Sequence, residues 1–227
     1  MKLIKTNDQG MHHLKICVHG DAGTGKTRLC ATTGEAEQTV IISAEGGLLS
    51  LRNSNMTAIE CANKEDVIEA YRWICDSDEA KGIKWVCVDS ISEIAEQVLS
   101  HERSQSKDPR RAYGELAIVM DRLIKSFRDL DKHIYMSCKT ERIQSEAGLI
   151  WAPSFPGAKV GNSIPYLFDE LFCLRVHRDP ESGDIKRWLQ CQADGTYAAK
   201  DRSGSLDMYE VPSLAHIQNK ILGENNG

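Results

Sequence analysis

With 227 residues, 41% of them hydrophobic and 27% charged, the chain has the composition of an ordinary soluble domain, with room for one α/β core but not for a second large domain. No run approaches the roughly 18 apolar residues of a membrane span, and the opening MKLIKTNDQGMHH lacks the apolar centre of a signal peptide, so a cytoplasmic location with no membrane partner is expected. The net charge of −5 opposes indiscriminate binding to duplex DNA, though it leaves room for a local basic groove.

Taken in chain order, residues 1–13 read as a short lead, 14–220 as a single domain and 221–227, ending in GENNG, as a tail. The apolar run LKICV is a buried strand, and TRLCATT opens a helix soon after it. TVIISAEGG is a second strand, β-branched and apolar, ending at Glu45 and two glycines. KEDVIEAYRWICDS places Val67, Ile68, Tyr71 and Ile74 on one helical face, and IKWVCVDS is a third buried strand ending at Asp89. ISEIAEQVLSHER is helical, SQSKDPRR breaks the pattern, and AYGELAIVMDRLIKSFRDL is a long amphipathic helix before a fourth strand, HIYMSC. Residues 139–162, with Pro153 and Pro156, read as a long irregular loop. DELFCLRVHR and IKRWLQCQ alternate like two strands joined by the turn DPESGD. Strand–helix alternation followed by a hairpin predicts a mainly parallel central sheet with helices on both faces and an antiparallel edge hairpin near the C-terminus.

The eight cysteines include no C-x-x-C pair and no histidine at ligand spacing, and Cys17, Cys87 and Cys138 fall within predicted strands. Buried free thiols in a reducing compartment are expected rather than a zinc site.

The stretch GDAGTGKT fits the phosphate-loop pattern, with Gly20, Gly25, Lys26 and Thr27 at its defining positions and a strand before it. Gly20, Gly23 and Gly25 permit the backbone angles that turn successive N–H groups toward phosphate oxygens. The run Gly20, Asp21, Ala22, Gly23, Thr24, Gly25, Lys26, Thr27 and Arg28 is therefore the candidate cradle for ATP. Lys26 is expected to reach the β- and γ-phosphates, and the Thr27 hydroxyl to ligate Mg²⁺. Asp89, at the end of a buried strand, is the candidate second metal-side group; DSISE also fits a helix cap. Glu45, at another strand end, suits a base for the attacking water but equally suits an exposed turn.

These motifs together bring out a resemblance. ISAEGGL is similar to the segment of RecA-type ATPases that carries the catalytic glutamate, VCVDSISEI resembles their second nucleotide motif, and the helix and strand from Ala112 to Arg142 resemble those that follow. Within that superfamily the chain most resembles short phage-encoded recombinases of the Sak kind, a RecA-like core without extra DNA-binding domains. The resemblance implies an ATPase that binds single-stranded DNA, promotes annealing with a single-strand-binding protein, and assembles as a ring or filament. It also implies two DNA-facing segments. Cations at Arg103, Lys107, Arg110 and Arg111 suit the first, and Trp151, Phe155 and Lys159 suit the second, as stacking and charge partners for unpaired bases. A solvated charged turn and aromatics folded onto the core are the plainer alternatives. Lys200 and Arg202 in AAKDRSG match the K-x-R pair that such oligomers insert into a neighbour's nucleotide site, though a turn with ordinary surface charge reads the same way. The chain departs from the RecA pattern after HIYMSC, where Lys139 and Thr140 stand in place of a polar amide. A regulatory or assembly ATPase with a protein partner, or a small DNA motor, is the competing expectation.

Overall fold

The computed structural model describes residues 13–223 apart from 107, 146 and 147, so most of the expected lead and tail lie outside the described residues. Element order is β1 (Lys15–His19), α1 (Lys26–Leu29), β2 (Thr39–Ser43), β3 (Thr57–Glu60), α2 (Lys64–Asp76), β4 (Trp85–Asp89), α3 (Ile91–Gln105), α4 (Pro109–Arg128) and β5 (His133–Cys138). It continues with β6 (Thr140–Ser145), β7 (Gly148–Pro153), α5 (Ala158–Leu167), β8 (Glu170–Arg178), β9 (Ile185–Gln190), β10 (Lys200–Asp201), β11 (Tyr209–Glu210) and α6 (Leu214–Leu222).

Short β-branched and cysteine-containing runs such as KICVH, TVIIS and WVCVD form strands because they are apolar on both sides of the pleat, and a sheet covered on both faces is where such runs belong. The main sheet runs β11-β9-β8-β1-β5-β4-β2-β3, with β10 added on β8. The six strands from β8 to β3 are mutually parallel, and β9 returns antiparallel to β8 as the expected hairpin. Along β1, Ile16 and Val18 pack with Leu29, Leu214 and Ile217 on the face of α1 and α6, while Cys17 joins the layer formed by α2, α3, α4 and α5. Phe127, Phe168 and Phe172 are fully buried, each contributing about 1.5–3 kcal/mol relative to exposure.

Helix starts follow their sequence signals. Asn63, Ser90, Asp108 and Ser213 each accept a backbone N–H as N-cap, and Pro109 takes the first position of α4. The cysteines are all unbridged thiols and only Cys75 is exposed. No helix among the described residues is long and apolar enough to cross a membrane.

Three local expectations are corrected. Residues 139–162 are not an irregular loop: β6 and β7 pair antiparallel over six residue pairs from Thr140↔Pro153 to Ser145↔Gly148, and α5 follows. Ile143 and Ile150 face each other across that hairpin, a cross-strand pair that the prolines and glycines of the stretch obscured. The segment 103–111 is not a long loop either, because Arg103 lies in the last turn of α3 while Arg110 and Arg111 begin α4. Finally, α1 spans only four residues before the chain tightens into a 3₁₀ turn at Cys30–Thr32.

His19 closes β1 and is fully buried where the sheet meets β6 and the chain before β10. Its Nε2 lies 2.7 Å from the Ala198 carbonyl and its Nδ1 3.0 Å from Thr140 Oγ1, so a neutral ring donates to the first and accepts from the second. Burial lowers its pKa from 6.5 to about 4. The unfolded chain therefore binds a proton at His19 that the native protein refuses between about pH 6.5 and 4, and the stability tied to a neutral His19 is lost as pH falls through that window. We predict that His19→Gln is less stable than the parent at pH 7.5 and that the gap narrows toward pH 4.5, measured as denaturation midpoints. A gap that stays constant over that range contradicts a buried neutral imidazole.

Candidate functional site

The loop after β1 is shaped by two glycine requirements. Gly25 sits at φ 109°, in the left-handed region that side-chain-bearing residues avoid. A Cβ on Gly20 would come within 2.9 Å of the Leu174 carbonyl, so the loop can pass this close to β8 only without one. Inside the loop, Asp21 O accepts from Thr24 Oγ1 at 2.9 Å, and Lys26 Nζ donates to Gly20 O at 2.7 Å and Asp21 O at 2.9 Å. The lysine therefore curls over its own loop, its ammonium held by neutral carbonyls. Tyr135 of β5 donates its hydroxyl to Lys26 O at 2.8 Å, fastening α1 to the sheet. The run from Ala22 to Arg28 lines a cavity of about 650 Å³ whose other walls include Glu45, Asp89, Leu174, Arg187 and Pro212.

β5 separates β1 from β4, and the parallel order carries the C-terminal ends of β1, β2 and β4 to one edge. Ligands in open α/β sheets bind outside that edge. There Thr27 Oγ1 donates to Asp89 Oδ2 at 2.5 Å, and Ser137 Oγ donates to Asp89 Oδ1. Asp89 is 3% exposed, and among the described residues no cation forms an ion pair with it. Burial raises its pKa, opposed by the Ser137 and Thr27 hydrogen bonds. The alternative of Asp89 as a helix cap is excluded, since Ser90 caps α3 by accepting from Glu93 N at 3.3 Å. Ser90 also donates its Oγ to Glu45 Oε1 at 2.5 Å, which ties the exposed Glu45 to the end of β4.

A hydroxyl and a carboxylate in contact, the latter buried without a cation, are hard oxygen donors suited to Mg²⁺, which takes one or two protein ligands and completes its shell with phosphate and water. Among the described residues no cluster of three or more His, Cys, Asp or Glu offers an all-protein metal site.

The other predicted residues fall elsewhere. Lys139 pairs with Glu93 at 2.8 Å, and Thr140 is held by His19. Lys200 donates to the carbonyls of Pro165 and, at 2.6 Å, Phe168; burial lowers its pKa. Arg202 pairs with Asp169 at 2.6 Å. Asp169 immediately precedes β8, five residues from the cavity-lining Leu174 and so on the order of 15 Å away along an extended strand; the pair does not reach its own chain's cavity. Arg103 lies over the Tyr113 ring at 5.4 Å and donates to its hydroxyl, Arg110, Arg111 and Lys159 are exposed on helix starts, and Lys107 lies outside the described residues. Phe155 is 6% exposed and packs in the core, so it is not available to stack on a base.

Sequence reasoning missed Arg187. It sits on β9, and its Nε donates to Thr24 O at 3.0 Å, so that the guanidinium borders the cavity with no acidic partner among the described residues. The only sequence signal was a cation in a strand whose register is unknown until the hairpin is paired.

No curated protein matches the chain. Among solved structures, the flagellar accessory protein FlaH from Methanocaldococcus jannaschii is similar at 14% identity, over 86% of this chain and 82% of that one, with a TM-score of 0.48. A KaiC-like protein from Pyrococcus horikoshii is similar at 14% identity, over 78% and 76%, with a TM-score of 0.42. A family model described as an AAA domain matches residues 12–203. That span runs from just ahead of β1 to just past β10 and takes in both α1 and β4, which bear the Thr27–Asp89 contact; the chain belongs to the AAA domain family.

Proposed function

We propose that the protein is a Mg²⁺-dependent ATPase of RecA-like build that acts on single-stranded DNA. The observation that carries the ATPase part is the Thr27–Asp89 contact at the mouth of a cavity that also holds Lys26 and Glu45. In this reading the loop amides from Ala22 to Thr27 and Arg28 hold the phosphates, and Lys26 exchanges its two loop carbonyls for phosphate oxygens. Thr27 and Asp89 would hold Mg²⁺, which would supply positive charge to offset that of the phosphates. Glu45, kept at the end of β4 by Ser90, orients the attacking water and takes its proton. Arg187 adds a cation from the same chain, held in aim by the Thr24 carbonyl.

Lys200 and Arg202 belong to a neighbouring copy's site in this proposal, which makes turnover a property of a ring or filament. Arg202 is well placed for such an exchange, being 57% exposed and held only by a surface ion pair of modest worth. The resemblance to Sak-type recombinases extends the proposal to strand annealing in concert with a single-strand-binding protein, in a phage setting. A second reading, an assembly ATPase with a protein partner, is favoured by one feature: an apolar groove of about 310 Å³ between α2 and α4, lined by Val67, Ile68, Tyr71, Leu123 and Phe127.

Lys26→Ala is expected to abolish ATP binding. Glu45→Gln is expected to bind ATP normally and to lose about 100-fold or more in kcat, the scale of a general base; turnover within three-fold of the parent removes Glu45 from that role. Arg187→Ala should weaken ATP binding while leaving the fold intact, read by calorimetry alongside a melting curve. For the neighbour's cations, the expected result is partial recovery of turnover on mixing Arg202→Ala with Lys26→Ala protein, each inactive alone. No recovery at any mixing ratio counts against the shared site.

A further inference from the structure

The hairpin formed by β8 and β9 has two chemically different faces. Arg187, opposite Val176, is on the face that touches the phosphate loop. On the other face Arg175 lies opposite Trp188, and His177 opposite Lys186. From Arg175 a continuous series of contacts leads away from the hairpin. The Arg175 guanidinium lies 3.7 Å from the Tyr197 ring centroid, Tyr197 is stacked on Trp151 at 6.4 Å and 13°, and Arg142 lies over Trp151 at 5.2 Å. In the other direction Arg175 lies 5.8 Å from the Trp188 centroid.

Main-chain bonds fix this arrangement. Trp151 N donates to Thr196 O at 2.7 Å and Ala198 N to Trp151 O at 2.8 Å, so the β6–β7 hairpin and the chain before β10 move as one piece. Arg142, Arg175 and Lys186 form no ion pair among the described residues, Arg175 donating instead to Gln190 Oε1 at 2.8 Å, although the chain carries 33 acidic residues against 28 Lys and Arg. Unpaired cations alternating with ordered aromatic rings are what a single-stranded backbone with unstacked bases requires, and duplex DNA offers such rings nothing to stack on.

We propose that single-stranded DNA runs along this strip, from Arg142 and Trp151 across Tyr197 and Arg175 to Lys186, and not along the helix starts at Arg110 and Arg111. The proposal rests on the reading of the protein as a single-strand-binding ATPase and names the surface that reading needs. The exposed Arg142 caps the series, and in this proposal an incoming base takes its place on the Trp151 ring while its guanidinium turns to the adjacent phosphate. The strip also borders a cavity of about 310 Å³ walled by Arg175, Tyr197, Thr140 and the loop from Gly20 to Thr24. DNA on one face of the β8–β9 hairpin and nucleotide under Arg187 on the other thus bear on the same two strands.

The test is fluorescence anisotropy of a labelled oligo-dT with the full chain over a salt series, alongside melting curves. Arg142→Ala/Lys186→Ala is expected to bind at least ten-fold more weakly, with the slope of log affinity against log salt reduced by about 0.7 for each lost phosphate contact. Trp151→Ala should lose about ten-fold with an unchanged salt slope, and Trp151→Phe should recover most of it. Parent-like affinity in Arg142→Ala/Lys186→Ala, with loss in Arg110→Ala/Arg111→Ala instead, overturns the strip and leaves the single-strand reading standing. Absence of oligo-dT binding by the parent protein at low salt overturns that reading itself, and equal binding of a duplex of the same length overturns the role of the rings.

Discussion

Asp89 is a carboxylate buried at the end of a central strand, met by the hydroxyls of Thr27 and Ser137 and by no cation within the described residues. A buried charge in that condition is costly unless something compensates it, and hydroxyl dipoles compensate only in part. Three elements converge to hold it there: α1 supplies Thr27, β4 supplies Asp89 itself, and β5, inserted between β1 and β4, supplies Ser137 and the Tyr135 hydroxyl that pins α1. The cost is borne at one point of the fold, and a divalent cation arriving with phosphate is the partner that would relieve it.

The second constraint is the β8–β9 hairpin. It could have served only as an edge, since β11 extends it and β10 adds beside it. Its pleat instead sends Arg187 to the phosphate loop and Arg175 to the aromatic series, one strand position apart from each other's cross-strand partners. His19 reinforces the same junction from β1, bonded to Thr140 at the root of the β6–β7 hairpin and to Ala198. If nucleotide and single-stranded DNA bind as proposed, they bear on the same two packed strands, and a small shift of the hairpin would act on both.

Much of this was legible in the sequence because the signals were local. The loop pattern after β1, the end of β4 at Asp89 and the turn DPESGD each depend on a few neighbouring residues and lie where their patterns implied, whereas β2 stops at Ser43, two residues short of Glu45, and α3 is capped by Ser90 and not by Asp89. What escaped depends on pairing. β6 is largely polar and β7 begins at Gly148 and ends at Pro153, residues that usually mark turns, so only their mutual register makes them strands. The same holds for β3, with three of its four residues exposed. Arg187 and Arg175 look alike in sequence and differ only in which face of β9 and β8 they occupy. Phe155, an inviting aromatic in a presumed loop, is buried because α5 folds over the end of β7.

The account stands on Asp89 as the acid that receives the metal, and the most direct measurement is calorimetric binding of a non-hydrolysable ATP analogue to the parent and to Asp89→Asn, each with Mg²⁺ and with the metal chelated. The account predicts that Mg²⁺ tightens binding to the parent by ten-fold or more and that Asp89→Asn loses this gain while keeping the metal-free affinity. Equal gains from Mg²⁺ in both proteins would contradict it.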